Sequence, residues 1–174
     1  MSYKILLFPI VQGSHILCNV AIARELGRRQ HETHILIDDG YQVAEDMAVE
    51  AKKFNFTFVR PVRNIANTDG VTAAEIAKIA QRMVASEYPF KDYMKDSAHF
   101  LDYHAKLLFL DNEPFIEKLK STHYDLAVID GFFFTKHFYL LPHRLGIPWV
   151  TYTDYPHPWA MRVPWLPSIV PGKF

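Results

Sequence analysis

Short apolar runs alternate with longer amphipathic stretches along the chain. Lys4–Pro9 is nearly all apolar, as expected of a strand buried on both faces. The pair Gly13-Ser14 reads as a turn. Ile16, Val20, Ala23 and Leu26 then recur at helical spacing, which predicts a helix over His15–Arg28 with Ser14 as its N-cap. Thr33–Ile37 reads as a second strand ended by Asp38-Asp39-Gly40, Tyr41–Lys53 as a helix, and Phe56–Val59 as a third strand closed by Arg60-Pro61. Asn64–Asp69 is a polar loop. Thr72 and Glu75 have capping-box spacing ahead of an apolar stripe at Ile76, Ile79, Met83 and Val84. Phe90–Asn112 carries a second long helical pattern, and Pro114 should restart the helix with Asn112 as cap, running on to Thr122. The strand Leu126–Ile129 follows, then Asp130-Gly131, a helix over Phe134–Leu145 stopped by Gly146, and a strand over Trp149–Tyr152.

Strand and helix in alternation predict an α/β fold, a Rossmann-like parallel sheet flanked by helices, with residues 1–174 as a single domain. Past Thr153, Pro156, Pro158, Pro164, Pro167 and Pro171 exclude regular helix or central strand. The tail reads as an open end and exposes aromatic surface, so self-association is expected.

Composition narrows the function classes. Nineteen Lys+Arg balance nineteen Asp+Glu, which leaves no positive field to hold nucleic acid or an anionic membrane surface. Cys18 is the single cysteine, so no internal disulfide is available and no Cys/His cluster has zinc spacing; no metal site is expected. The apolar run Ile5–Val11 is too short for a signal peptide or a membrane span, and no targeting signal is expected in this chain. Asn55-Phe56-Thr57 is a glycosylation sequon, meaningful only in a secretory lumen. His31, His34, His99, His104, His123, His137, His143 and His157 show no metal spacing and mostly read as surface residues.

In an open parallel sheet, ligands sit beyond the carboxyl ends of the strands. His15 follows the first strand and Asp130 the Leu126–Ile129 strand, 115 residues later. An imidazole in the first turn of a helix is held neutral by the positive end of the helix dipole, as a general base must be. A carboxylate on the other ring nitrogen would fix its tautomer and stabilise the cation. The plainer reading makes His15 a helix N-terminal polar residue and Asp130 a turn residue. Gly13 stands alone, with neither G-x-G-x-x-G nor G-x-x-x-x-G-K-[ST] around it, so no cofactor is expected to bind here. Asp38-Asp39 would bind a ribose or cap a helix. Phe132-Phe133-Phe134, with Phe90, Tyr93, Phe100 and Tyr103, would wall an apolar pocket or pack as core. Ser14, Phe90, Tyr93, Phe132 and Phe133 are the candidate acceptor contacts.

Several segments in order resemble the UDP-glycosyltransferases, most of all the animal UDP-glucuronosyltransferase branch. These are Lys4–Pro9 with Gly13-Ser14-His15, then Ala23–Leu36 against "L-x-x-R-G-H-E-V-T-V-L". Tyr124–Asp130 is similar to "F-D-x-x-x-x-D", Leu145–Val150 to "L-G-I-P-x-V" and Leu166–Pro171 to "P-S-Y-V-P". Gln30-His31 stands where that pattern has Gly-His. The resemblance implies the N-terminal, acceptor-binding half of a GT-B fold, with most of the UDP-sugar site in a second half. It implies His15 as general base, Asp130 as its partner, a small apolar acceptor, UDP-sugar as co-substrate of the complete enzyme, inverting glucuronosyl or glucosyl transfer, and no metal. It also implies the endoplasmic reticulum membrane for the animal family. The donor half has no counterpart in this sequence, so the chain reads as a fragment, inactive alone. The alternative is a non-catalytic Rossmann-like module that binds a small molecule or a partner chain.

Overall fold

The structure is a computed structural model. It describes residues 1–9, 13–37, 41–61, 112–131 and 136–152, and single positions 78, 89, 91, 92 and 95. Expectations for Asp38–Gly40, the Asn64–Asp69 loop, the Thr72–Glu75 box with its stripe, nearly all of Phe90–Asn112, and the tail from Thr153 fall outside the described residues.

Five parallel strands form one sheet: β1 (Lys4–Phe8), β2 (Glu32–Leu36), β3 (Phe56–Val59), β4 (Leu126–Asp130) and β5 (Trp149–Tyr152). Their order is β3-β2-β1-β4-β5. The first three strands step one way across the sheet through α1 (Gly13–Arg28) and α2 (Glu45–Lys53). The chain then returns to the other side of β1 and steps outward through β4 and β5. Register is continuous, with Leu7 opposite Ile35, Phe8 opposite Ile129 and Asp130 opposite Tyr152. The strand order reverses between β1 and β4, and an open α/β sheet forms its crevice at that point.

Because side chains alternate along a strand, each strand feeds two cores. Ile5, Leu7, Ile35, Phe56 and Val128 pack with Ile16, Val20 and Ala23 of α1. Leu6, Phe8, Leu36 and Ile129 pack on the other face with Phe115, Ile116 and Leu119 of α3 (Glu113–Ser121) and with Leu141 of α4 (Leu140–Leu145). Leu6, Ile35 and Ile129 are wholly buried, and burying such a side chain is worth about 1.5–3 kcal/mol.

Beyond one-residue differences at the ends of other elements, three helix starts depart from the sequence reading. Helix α1 already starts at Gly13, so Ser14 is its second residue and not its N-cap. Helix α2 starts at Glu45, not Tyr41: Ala44 is still extended (ψ 151°), and Glu45 and Asp46 bring the negative charge that a helix start favours. Tyr41 and Val43 reach the same core from ahead of that helix. The expected helix over Phe134–Leu145 is a 3-10 turn over Lys136–Tyr139 followed by α4. Pro142 has no N–H for the carbonyl four residues back, so the α-helical ladder cannot extend earlier.

Helices α1 to α4 each stop on a left-handed residue: Gln30 (φ 65°), Asn55 (φ 54°), His123 (φ 53°) and Gly146 (φ 68°). At the end of α1, His31 N–H reaches Leu26 O and Gln30 N–H reaches Gly27 O, both at 3.0 Å, which is a Schellman closure with Gln30 in the glycine position. Holding an L-residue there costs about 1–2 kcal/mol. Gln30→Gly, which restores the glycine of the resembling pattern, is therefore expected to raise stability by about 1 kcal/mol. Chemical denaturation at equilibrium reads this directly, and a loss of stability would contradict it.

Candidate functional site

Alternation along β4 decides where Asp130 points. Val128 faces α1, so Asp130, two residues on, faces α1 as well. His15 lies in the first turn of that helix, across the crevice between β1 and β4. The two side chains meet: His15 Nδ1 is 2.6 Å from Asp130 Oδ2. The carboxylate is wholly buried and His15 is 9% exposed. A carboxylate can only accept, so Nδ1 carries the hydrogen and donates it. That tautomer places the ring's lone pair on Nε2, the nitrogen through which a neutral imidazole takes a proton.

Two further residues complete a buried polar cluster that the sequence reading did not single out. Asn19, wholly buried, sits one helical turn after His15. Its Nδ2 donates to His15 O at 2.9 Å and, in a short bond, to the Tyr152 hydroxyl. The Tyr152 hydroxyl donates in turn to Asp130 Oδ2 at 3.3 Å. Burial, and then the Asp130 charge, push the Tyr152 phenol far above its usual range, so it stays a protonated donor. The same two causes raise Tyr139. Gly131 N–H donates to Tyr152 O at 2.6 Å and extends the β4–β5 ladder past Asp130. A Cβ on Gly131 would come to 3.0 Å from that oxygen, so glycine is what lets the two strand ends approach. The readable signals were a polar residue at i+4 from His15 inside an apolar stripe, and a tyrosine ending the strand beside Asp130.

The acceptor candidates Phe90, Tyr93, Phe132 and Phe133 lie outside the described residues, and Ser14 is described in its backbone only. One histidine departs from the surface expectation. His34 packs edge-on to Tyr124, at 5.4 Å between ring centroids, on the opposite sheet face from His15. The Tyr124 hydroxyl is 2.7 Å from its Nδ1, and Glu32 Oε1 is 3.0 Å from its Nε2. Burial lowers its pKa, against a smaller opposing effect of Glu32. Among the described residues, no cluster of three or more His, Cys, Asp or Glu could hold a metal ion, and no helix is long and apolar enough to cross a membrane.

No protein-family model matches the chain, and no curated protein does. Solved structures of UDP-glycosyltransferases share its fold. One is Glycyrrhiza uralensis UGT73P12 complexed with glycyrrhetinic acid 3-O-monoglucuronide, at TM-score 0.53 and 15% identity, covering 87% of this chain and 28% of that one. The fold is Rossmann-like, as in one part of these GT-B structures. Arabidopsis thaliana UGT89C1 complexed with UDP-L-rhamnose matches at TM-score 0.52 and 11% identity, over 87% of this chain and 36% of that one. Phytolacca americana UGT2 complexed with UDP-2fluoro-glucose and pterostilbene matches at 0.50 and 16%, over 87% and 30%. The chain thus spans about a third or less of the length of the structures it matches.

Proposed function

We propose that this chain is the N-terminal, acceptor-binding half of an inverting UDP-sugar-dependent glycosyltransferase, close to the animal UDP-glucuronosyltransferase branch. The observation that carries the reading is the 2.6 Å contact between His15 Nδ1 and Asp130 Oδ2 at the strand-order reversal. The shared fold and the ordered sequence segments support it.

In this mechanism the acceptor hydroxyl lies against His15 Nε2. As the proton passes to Nε2, the hydroxyl oxygen attacks the anomeric carbon of the sugar from the face opposite UDP. The bond from that carbon to the UDP oxygen breaks, its electron pair leaves with UDP, and the anomeric configuration inverts. The imidazolium formed is stabilised by the Asp130 carboxylate, which keeps its charge throughout. Because the dyad is already oriented and largely dehydrated before substrate arrives, little reorganisation accompanies proton transfer. The UDP-sugar is held chiefly by the second half of the complete enzyme.

The test joins this chain to the donor-binding half of a UDP-glycosyltransferase and assays glycoside formation on small apolar alcohols and phenols. Product is expected from the joined protein and not from either half alone. Absence of product across UDP-glucuronic acid and UDP-glucose, with the joined protein folded and both ligands bound, would remove the reading in favour of a non-catalytic binding module.

A further inference from the structure

Asn19 is the odd residue in its helix. Its neighbours on the buried stripe are Ile16, Val20 and Ala23, and an aliphatic side chain there would extend the core. Instead a wholly buried amide stands in it, with its nitrogen making two bonds and its oxygen none among the described residues. An unsatisfied buried acceptor is destabilising, so the amide serves something other than stability.

The direction of each hydrogen bond shows what that is. Asn19 Nδ2 has two hydrogens. One goes to the His15 carbonyl and the other to the Tyr152 oxygen. The phenol oxygen thus receives from Asn19 and is left to donate its own hydrogen, which points to Asp130 Oδ2. This is the same carboxylate oxygen that receives the His15 Nδ1 hydrogen. We infer that Asn19 and Tyr152 are positioning residues that set the proton affinity of His15, by directing a second donor onto the Asp130 oxygen that His15 uses. The geometry stands by itself; its catalytic meaning rests on the reading of His15 as base.

The sign follows from sharing. A carboxylate oxygen that accepts from Tyr152 has part of its charge already satisfied, so it offers less to an imidazolium. His15 is then a weaker base than a His-Asp pair alone would make it. Among the described residues, the charged and titratable groups around the pair are Asp130 from β4, Tyr152 from β5, Cys18 from α1, and Tyr139 from the 3-10 turn, which feels the Asp130 charge. High phenol pKa values keep both tyrosines neutral across the working range.

The test is a pH titration of the His15 ring by nitrogen-15 NMR on the full chain, with His15 assigned through His15→Gln. Tyr152→Phe keeps the ring and removes the donor. It is expected to raise the His15 pKa by about half a unit, roughly a threefold change in the protonation constant. Asn19→Leu keeps the volume and frees the phenol to turn, so a smaller rise is expected, and it serves as the second variant should Tyr152→Phe fail to fold. Asp130→Asn separates this proposal from the reading beneath it. If Asp130→Asn lowers the His15 pKa while the other two variants leave it unchanged or lower it, the pair is real and the positioning role is overturned. If Asp130→Asn also changes nothing, the His15–Asp130 interaction itself fails, and the proposal with it.

Discussion

Replacing His15 with alanine in the joined two-half enzyme is expected to cut turnover about 10²–10⁴-fold, the usual contribution of a positioned general base. The loss should fall on kcat, because no hydroxyl proton has moved when the acceptor binds; acceptor affinity should stay within a few-fold. Alanine has a second consequence. It leaves the wholly buried Asp130 without its Nδ1 donor, and removing one partner of a buried hydrogen bond costs about 1–3 kcal/mol, more where the group left behind is charged. A folding defect must therefore be separated from a chemical one. His15→Asn does this: its amide nitrogen can occupy the place of Nδ1 and still donate to Asp130, yet the side chain has no basic nitrogen. Turnover should be as low as in His15→Ala, with stability nearer the parent. Turnover within about threefold of the parent in a folded His15→Asn protein would strip the histidine of its role as base.

Gly27→Ala is expected to destabilise the fold strongly. Gly27 is a helical residue, and in an exposed helix alanine there would stabilise by about 1 kcal/mol. Here a Cβ would stand 1.9 Å from the carbonyl oxygen of Phe54 and 2.8 Å from its carbon. Both atoms are backbone, so no rotamer change relieves the clash. Helix α1 and the turn after α2 must separate by more than an ångström. That turn is held from several sides: Arg24, Arg28 and Lys53 lie over the Phe54 ring at 5.9, 5.5 and 5.3 Å, and Arg24 pairs with Glu50 of α2 at 2.6 Å. Asn55 O receives the Thr33 N–H just before β3 pairs with β2. The expected loss is about 3 kcal/mol. For a domain of this size each kcal/mol lowers the Tm by about 2–4 °C, so thermal unfolding resolves it easily. A variant as stable as the parent, or more so, would show that helix propensity governs this position and that the approach of Phe54 is not tight.

The strands were the most legible part of the sequence. In a sheet covered on both faces nearly every strand residue is apolar, so Lys4–Phe8, Phe56–Val59, Leu126–Ile129 and Trp149–Tyr152 stand out as short runs between turn residues. Helix ends were harder to read. Gly146 marks the end of α4 in the ordinary way, but Gln30, Asn55 and His123 do the same task for α1, α2 and α3 without being glycine. The start of α2 was misread because Val43, Met47 and Ala51 keep helical spacing across a boundary that Ala44, still extended, actually sets. At the site, His15 and Asp130 could be singled out because each follows a strand at the carboxyl edge of the sheet, where open parallel sheets place their ligands. Asn19 and Tyr152 were not. Their link depends on which strand lies beside β4 and in which register, a property of the sheet that no local window contains.

Asp130 reaches the histidine because it lies an even number of residues from Val128 on a strand pinned between β1 and β5. A single-residue insertion or deletion within 126–130 would rotate the acid by half a turn into the oily layer of Phe138 and Leu141, away from His15. Lineages carrying this pair can vary other stretches of chain more readily than the length of β4, since a change of two residues keeps the face but carries the carboxylate about 6–7 Å along the strand, out of reach of His15.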